Sequence, residues 1–422
     1  MRFIDLFAGL GGFHVGLSEK GFQCVFACEI EPDLRELYYL NYGIKPFDDV
    51  TKIDVSKIPP HEVICAGFPC QPFSLAGKKK GAECPKSGKL IDHVIRIAKF
   101  HHPKFILLEN VPNIISIAEG AFWKYLQDSF SQCGYRLYHK IISPTDMGIP
   151  QNRKRVFIVA IRQDLDNGYF NWPASIGLGK VSLTQILKNH TDAKRLEPAK
   201  IQLLAHWQKL LLQLNLKKLA SISIVAPEFG ANYPLDFASM TLSEIRQYRG
   251  AYGQSLESCQ SWSEVLQKMP SYVRKAQKVP NWILKSVLYS RELYATQTEI
   301  CKTWAEGLDK NNNSWQILEW RGLSSCLDIY SHLIQFRASG IRVLRSHIAP
   351  SLISMTPTQI PIIPSENRYM SVQEAARLQN LQNLNRLPNN RMKAFKALGN
   401  AVNAKIVGDI ADSINQSYCN IQ

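Results

Sequence analysis

The chain has 422 residues, 45% of them hydrophobic, and carries 50 lysines and arginines against 35 aspartates and glutamates, a formal charge of +15. That length and apolar content exclude a disordered or fibrous chain and predict a globular protein of two domains. The charge excludes an acidic scaffold and makes a polyanion, nucleic acid first, the expected partner.

Ten cysteines stand at irregular spacing, with no CxxC pair and no Cys/His cluster at metal-ligand intervals. They predict reduced thiols in an intracellular protein, with no disulfide framework and no metal site. The chain opens on the strand-like MRFIDLFAG, so no secretory signal is expected. The most leucine-rich stretch, 201–220, is interrupted by His206, Lys209, Lys217 and Lys218 and reads as an amphipathic helix, not a membrane span.

In chain order, RFIDLFAG, CVFACEI, EVICAGF, KFILLENV and RVFIVAI each read as a buried strand. Helix-length connections follow most of them, and the stretch from 1 to about 165 is therefore expected to form a parallel α/β sheet. From about 166 to 340 this rhythm is lost, and seven of the eight tryptophans fall there, which marks a second domain. Most of those tryptophans are expected to be core. From 341 a loop rich in Pro, Ser and Thr precedes two helical patterns, SVQEAARLQ and KAFKALGNAVNAKIVGDIADSI.

Several short stretches have the residue types that chemistry needs. DLFAGLGGF, at 5–13, runs from a strand through glycines into a helix, where backbone can approach a ligand closely. His14 occupies the place of the third glycine of a dinucleotide fingerprint, which disfavours NAD. Glu29, at the end of the next strand, can bind the two hydroxyls of a ribose, and together with Asp49 it suits an adenosine-containing ligand without a pyrophosphate; a tight turn followed by a surface acid is the plainer alternative. GFPCQPFS, at 67–74, fixes Cys70 between Pro69 and Pro72, with KKK following at 78–80. A nucleophilic thiol needs such fixed placement and nearby positive charge, whereas a packed structural thiol does not need the prolines. LLENVPN puts Glu109 at a strand's carboxyl end, the edge where α/β sheets bind ligands. Gln151, Arg153 and Arg155 precede another strand, with alternation sending both arginines to one side, as surface charge or as clamps on a carbonyl or phosphate.

Taken in order, DLFAGLGGF, GFPCQPFS, ENV, QNRKR, RYMSVQEAARLQ and ALGNAV resemble the conserved blocks of the C5-cytosine DNA methyltransferase family, over about 1–165 and 366–410. The resemblance implies an α/β fold: a doubly wound, Rossmann-like S-adenosylmethionine-dependent methyltransferase domain at 1–172 and 395–422. A second, smaller target-recognition domain with a connecting motif region would occupy 173–394. By the same resemblance Cys70 is the nucleophile toward cytosine C6, and Glu109 the acid at N3. Arg153 and Arg155 support the base carbonyl and the catalytic loop. The methyl donor S-adenosylmethionine would be held by Phe7, Gly9, Gly12, Glu29, Asp49, Pro69 and Asn400, with no metal. The implied partner is double-stranded DNA. A cognate restriction endonuclease would act separately, and the enzyme would be a monomer in the bacterial cytoplasm. An RNA (tRNA) cytosine-5 methyltransferase of the same superfamily is the alternative, and would be expected to carry a smaller insert.

Sequence choice would lie in the insert, where Tyr233, Tyr248, Tyr252, Arg246, Arg249, Arg274, Lys275 and Lys278 mix basic and aromatic character. Two blocks depart from the family's pattern. ECPKSGKL has Ser87 where an arginine is usual, which bears on anchoring of the loop after Cys70. RYMSVQEAARLQ keeps Arg368, Glu374 and Arg377 without the usual threonine-proline centre, and these residues are expected to join the domains structurally.

Overall fold

All five apolar runs are strands of one sheet. The computed structural model describes residues 1–69, 90–177, 183–187, 193–214, 216, 223–352 and 359–419. The chain begins β1 (Arg2–Leu6), α1 (Gly12–Ser18), β2 (Gln23–Cys28), α2 (Pro32–Tyr42), β3 (Val63–Ala66) and α3 (Leu90–His101). It continues β4 (Phe105–Asn110), α4 (Ala121–Gln132), β5 (Tyr135–Ile142) and β6 (Arg155–Arg162). The strand order is β2-β1-β3-β4-β6-β5.

Strands β2, β1, β3 and β4 run parallel. The expected all-parallel sheet needs correction at the other edge, where β6 lies antiparallel to both β4 and β5. RVFIVAI comes back against YRLYHKII, a strand that no apolar run announces. As the sheet's edge, β5 is buried only at its end residues, Tyr135 and Ile142.

Every residue of β3 and β4 is buried, so both faces need a cover, which helices provide. Ile4, Leu6, Ile64, Ile106 and Leu108 pack with Ile91, Val94 and Ile97 of α3 and with Leu126 and Phe130 of α4. The alternate residues, Phe3, Val63, Cys65, Phe105 and Leu107, pack on the other face with Phe13 and Leu17 of α1 and with Val402, Ile406, Val407 and Ile410. The period-two alternation of β1, β3 and β4 therefore builds two cores, one per face.

The chain divides into two compact units, one of residues 1–192, 350–355 and 371–422, the other of 193–349 and 356–370. The second contains α5 (Pro198–Gln213), β7 (Ser223–Val225), α6 (Leu284–Thr296), α7 (Thr298–Glu306), β8 (Ile317–Trp320), β9 (Leu333–Arg337), β10 (Gly340–Leu344), β11 (Ile362–Ile363) and β12 (Arg368–Tyr369). Its sheet has the order β12-β11-β9-β10-β8-β7. Trp207, Trp304 and Trp320 are buried there, as expected of core residues, whereas Trp282 is 66% exposed.

The chain then returns to the first unit through α8 (Val372–Leu378), α9 (Arg391–Asn400) and α10 (Ala404–Cys419). Residues 371–394 thus fold with the first unit, although the sequence grouped them with the insert. Ser371 and Glu374 close a capping box at the start of α8. Asn403 Nδ2 donates to the carbonyl of Leu378 at 2.9 Å, and Ala404 N to that of Gln379 at 3.1 Å, tying α8 to α10. Among the described residues no helix is long and apolar enough to cross a membrane.

Candidate active site

At the end of β1 the chain turns through Phe7, Gly9 and Gly11, all with positive φ, at 59°, 54° and 80°. A Cβ on Gly9 would meet none of the described residues within 4 Å, which leaves space beside that stretch of backbone. A Cβ on Gly12 would stand 2.2 Å from the carbonyl oxygen of Val402. The two glycines that the resemblance assigned together have different surroundings: Gly9 leaves room, and Gly12 lets α1 close against the chain leading into α10.

Glu29, at the end of β2, is buried and braces the glycine turn. Its Oε2 accepts from Gly9 N at 2.7 Å and its Oε1 from Glu31 N at 2.9 Å. Glu29 N in turn donates to the carbonyl of Phe47 at 2.9 Å, bringing the 47–49 segment beside β2. Asp49 caps the short turn Val50–Lys52, accepting from Thr51 N at 2.9 Å and Thr51 Oγ1 at 2.7 Å. Those hydrogen bonds hold its carboxyl below the usual carboxylate range.

The opposite stretch of the sheet edge is built by β4. Glu109 is 8% exposed, and its Oε1 lies 3.0 Å from Arg155 Nε at the start of β6. Its Oε2 faces Gly67, where a Cβ would be 3.8 Å away. Burial pushes the Glu109 carboxyl up, against the opposing pull of Arg155 and Arg153. Next to it, Asn110 Nδ2 donates to the carbonyl of Phe68 at 2.9 Å, and Asn110 Oδ1 accepts from Val111 N at 2.9 Å. Asn110 therefore holds the GFP segment that leads to Cys70, and Glu109 lies against its first residue. Pro69 ends that segment, exposed. Cys70, Ser87 and the KKK run lie outside the described residues.

The profile of the C-5 cytosine-specific DNA methylase family matches residues 1–416. The chain belongs to that family. It is 40% identical over 172 residues to the Type II methyltransferase M.MspI of Moraxella sp, a match covering 41% of each chain. It is 39% identical over 173 residues to the Type II methyltransferase M.HhaI of Haemophilus parahaemolyticus, covering 41% of this chain and 53% of that one. The chain thus spans about half the length, or less, of the curated relatives it matches. The structure of the Entamoeba histolytica methyltransferase EhMeth aligns over 99% of this chain and 98% of that one, with a TM-score of 0.52 at 15% identity, a likeness of fold.

In this chain the two arginines of the QNRKR block diverge. Arg155 pairs with Glu109, and its Nη1 donates to the carbonyl of Lys154 at 2.8 Å. Arg153, 4% exposed, reaches the C-terminal chain: its Nη2 donates to the carbonyl of Ala401 at 3.2 Å and its Nη1 to Ser351 Oγ at 3.4 Å. Burial and the neighbouring Arg155 lower the Arg153 pKa to about 9, so it remains a cation at neutral pH. Asn400 is exposed at the end of α9, immediately before the Ala401 carbonyl and the Val402 contact with Gly12.

One buried polar residue, Asp5, was not singled out from sequence. Asp5, wholly buried in β1, receives the hydroxyl of Tyr38 at 3.2 Å on Oδ2, while its Oδ1 has no partner among the described residues. Burial raises its pKa well above the usual range. Tyr38 also meets His14 Nδ1 at 2.7 Å, and His14 stacks on Tyr42 with ring centroids 3.9 Å apart. Burial lowers the His14 pKa to about 4, keeping it neutral. An aspartate inside the apolar run RFIDL was the available sign. Gln151 is also fully buried, with neither amide atom partnered among the described residues; only its place ahead of the arginines marked it.

Proposed function

We propose that this protein transfers a methyl group from S-adenosylmethionine to C5 of a flipped-out cytosine within a short duplex DNA sequence. The observation that carries this reading is Glu109, buried at the end of β4 against Arg155 and adjoining Asn110, which grips the carbonyl of Phe68 just ahead of Cys70.

Neither C5 nor C6 is accessible in stacked DNA, so the target nucleotide must leave the helix, at a cost of roughly a few kcal/mol. The Cys70 thiolate adds to C6, and the displaced electron density makes C5 nucleophilic. Glu109 holds a proton at cytosine N3 as that density builds; burial favours its protonated form. Arg155 orients Glu109, and Arg153 anchors the pocket wall through Ala401. S-adenosylmethionine, when bound, supplies an electrophilic methyl group. Loss of the C5 proton to a base and expulsion of the Cys70 thiolate restore the aromatic ring and the enzyme.

The residues of the glycine turn fit the donor. Gly9 presents open space, and Glu29 has accepted one backbone N–H on each oxygen, leaving lone pairs for ribose hydroxyls. Phe7, Asp49, Pro69 and Asn400 complete the proposed cofactor set, and Gly12 contributes through packing. The second unit would select the DNA sequence, and a restriction endonuclease acting separately is the expected companion.

Expression in a methylation-deficient bacterial host, followed by bisulfite mapping of 5-methylcytosine across the genome, tests the reading. A single short motif, fully modified, is expected. Folded protein that leaves the DNA unmodified would overturn it and direct the assay to RNA.

A further inference from the structure

The second unit holds a cavity of about 130 Å³ whose wall includes Lys268, Arg274 and Lys310 and no carboxylate. Tyr252 and Gln316 also line it. Neutral acceptors hold the three cationic heads in place. Lys268 Nζ donates to the carbonyl of Ser255 at 2.9 Å and to Ser258 Oγ at 3.4 Å. Arg274 donates from Nε to the carbonyl of Met269 at 3.0 Å and from Nη2 to that of Gln267 at 3.1 Å. Lys310 Nζ sits 4.6 Å from the centroid of the Tyr252 ring. The heads are positioned without being neutralised, a state that favours an arriving anion.

The cavity is built on a strained turn. Tyr252 has a φ of 56°, a left-handed conformation that aromatic residues rarely adopt. Its hydroxyl donates to Gln316 Oε1 at 2.6 Å, and the buried Gln316 donates through Nε2 to the carbonyl of Lys310 at 2.8 Å. The turn is docked by Ala251 N on the carbonyl of Lys268 at 2.7 Å, and a Cβ on Gly250 would come within 2.4 Å of that same oxygen. Backbone strain held in this way, beside unneutralised cations, suggests a functional wall.

We propose that this cavity grips one backbone phosphate of the DNA duplex. A free nucleotide would ask for an open stacking face as well, and Lys310 already occupies one face of the Tyr252 ring. The inference rests on the reading of the chain as a duplex-DNA methyltransferase and adds to it a sequence-independent grip in the second unit.

The test is the salt dependence of binding to a short synthetic DNA duplex, measured with methyl transfer on the full-length wild type and on the triple variant Lys268→Gln, Arg274→Gln, Lys310→Gln. One shared phosphate predicts a slope of log affinity against log salt that is shallower by ~0.9 in the variant, with the methylated motif unchanged. An unchanged slope overturns the proposal, as does a loss of ~2.7, which three independent surface cations would give. Lys310→Gln alone, at an exposed position, guards against misfolding. Its affinity deficit should vanish on a duplex with a neutral methylphosphonate at one backbone position, and persistence at every position overturns the proposal. Methyl transfer by the wild type with an unaltered variant slope would remove the pocket and keep the enzyme. Duplex binding with the expected slope change but no methyl transfer would do the reverse, and a slope change on RNA alone would overturn the DNA assignment.

Discussion

In the first unit the charged groups at the site are buried, with Glu109 and Arg153 only 8% and 4% exposed, each committed to a named partner. In the second unit Arg274 and Lys310 are exposed, and their heads rest on carbonyls and a ring. Burial alters protonation and fixes geometry, which chemistry needs; exposure leaves charge free to meet a polyanion. On the proposed reading the difference separates turnover from grip, and substitutions in the first unit should damage catalysis while leaving DNA affinity largely alone.

Cys70→Ser gives the largest expected effect: labelled methyl transfer falls to background while duplex affinity, measured by filter binding, stays near wild type. A parallel loss of affinity would break the division between the units. Glu109→Gln should slow transfer by about 10²–10⁴-fold. Because burial raises the Glu109 pKa, its proton is lost as pH rises through that raised value, and the wild-type rate should decline on the alkaline side. The Glu109→Gln rate, measured across the same range, should lack this limb. Stability follows the same sign: the contribution of the neutral buried carboxyl is complete below the unfolded pKa and is lost as pH rises through the folded one.

Smaller effects sharpen the picture within the first unit. Gly12→Ala drives a methyl group into the Val402 carbonyl and should cost about 1–3 kcal/mol in urea unfolding. Gly9→Ala meets open space but keeps a left-handed φ, so about 1–2 kcal/mol is expected, with a raised KM for S-adenosylmethionine that Gly12→Ala should not reproduce in proportion. Asp49→Ala removes a cap worth about 1 kcal/mol. Since the Asp49 pKa is lowered, that contribution is present above the unfolded value and disappears as pH falls through the folded one; thermal melts of both proteins along a pH series check it.

Much of the first unit was legible because its central strands are buried on both faces and so read as continuous apolar runs, and because Glu29 and Glu109 interrupt those runs at strand ends. The edge strand Tyr135–Ile142 lacks such a run, and the reversed direction of Arg155–Arg162 depends on that hidden partner. The packing of Gly12 was not legible either, since Val402 lies far along the chain and no local pattern links them. Nor was the return of 371–394 to the first unit, which is fixed by Asn403 and Ala404 reaching the carbonyls of Leu378 and Gln379. In the second unit the left-handed Tyr252 contradicts local preference, and only its tertiary bracing explains it.

The embrace of α1 by α10 sets a timetable for synthesis. Gly16 lies so close to Ala404 that a Cβ would be 2.5 Å from its carbonyl oxygen, Lys20 Nζ meets Asp412 Oδ2 at 2.6 Å, and Phe13 and Leu17 share one core with Ile406 and Ile410. A ribosome therefore translates the first strand and helix long before it delivers the helix that roofs them, a wait of roughly 20–80 s at ordinary elongation rates. Through that interval one face of the nascent sheet stays apolar and bare. The growing chain should engage chaperones over this window and complete its glycine turn only after residues near 410 have emerged.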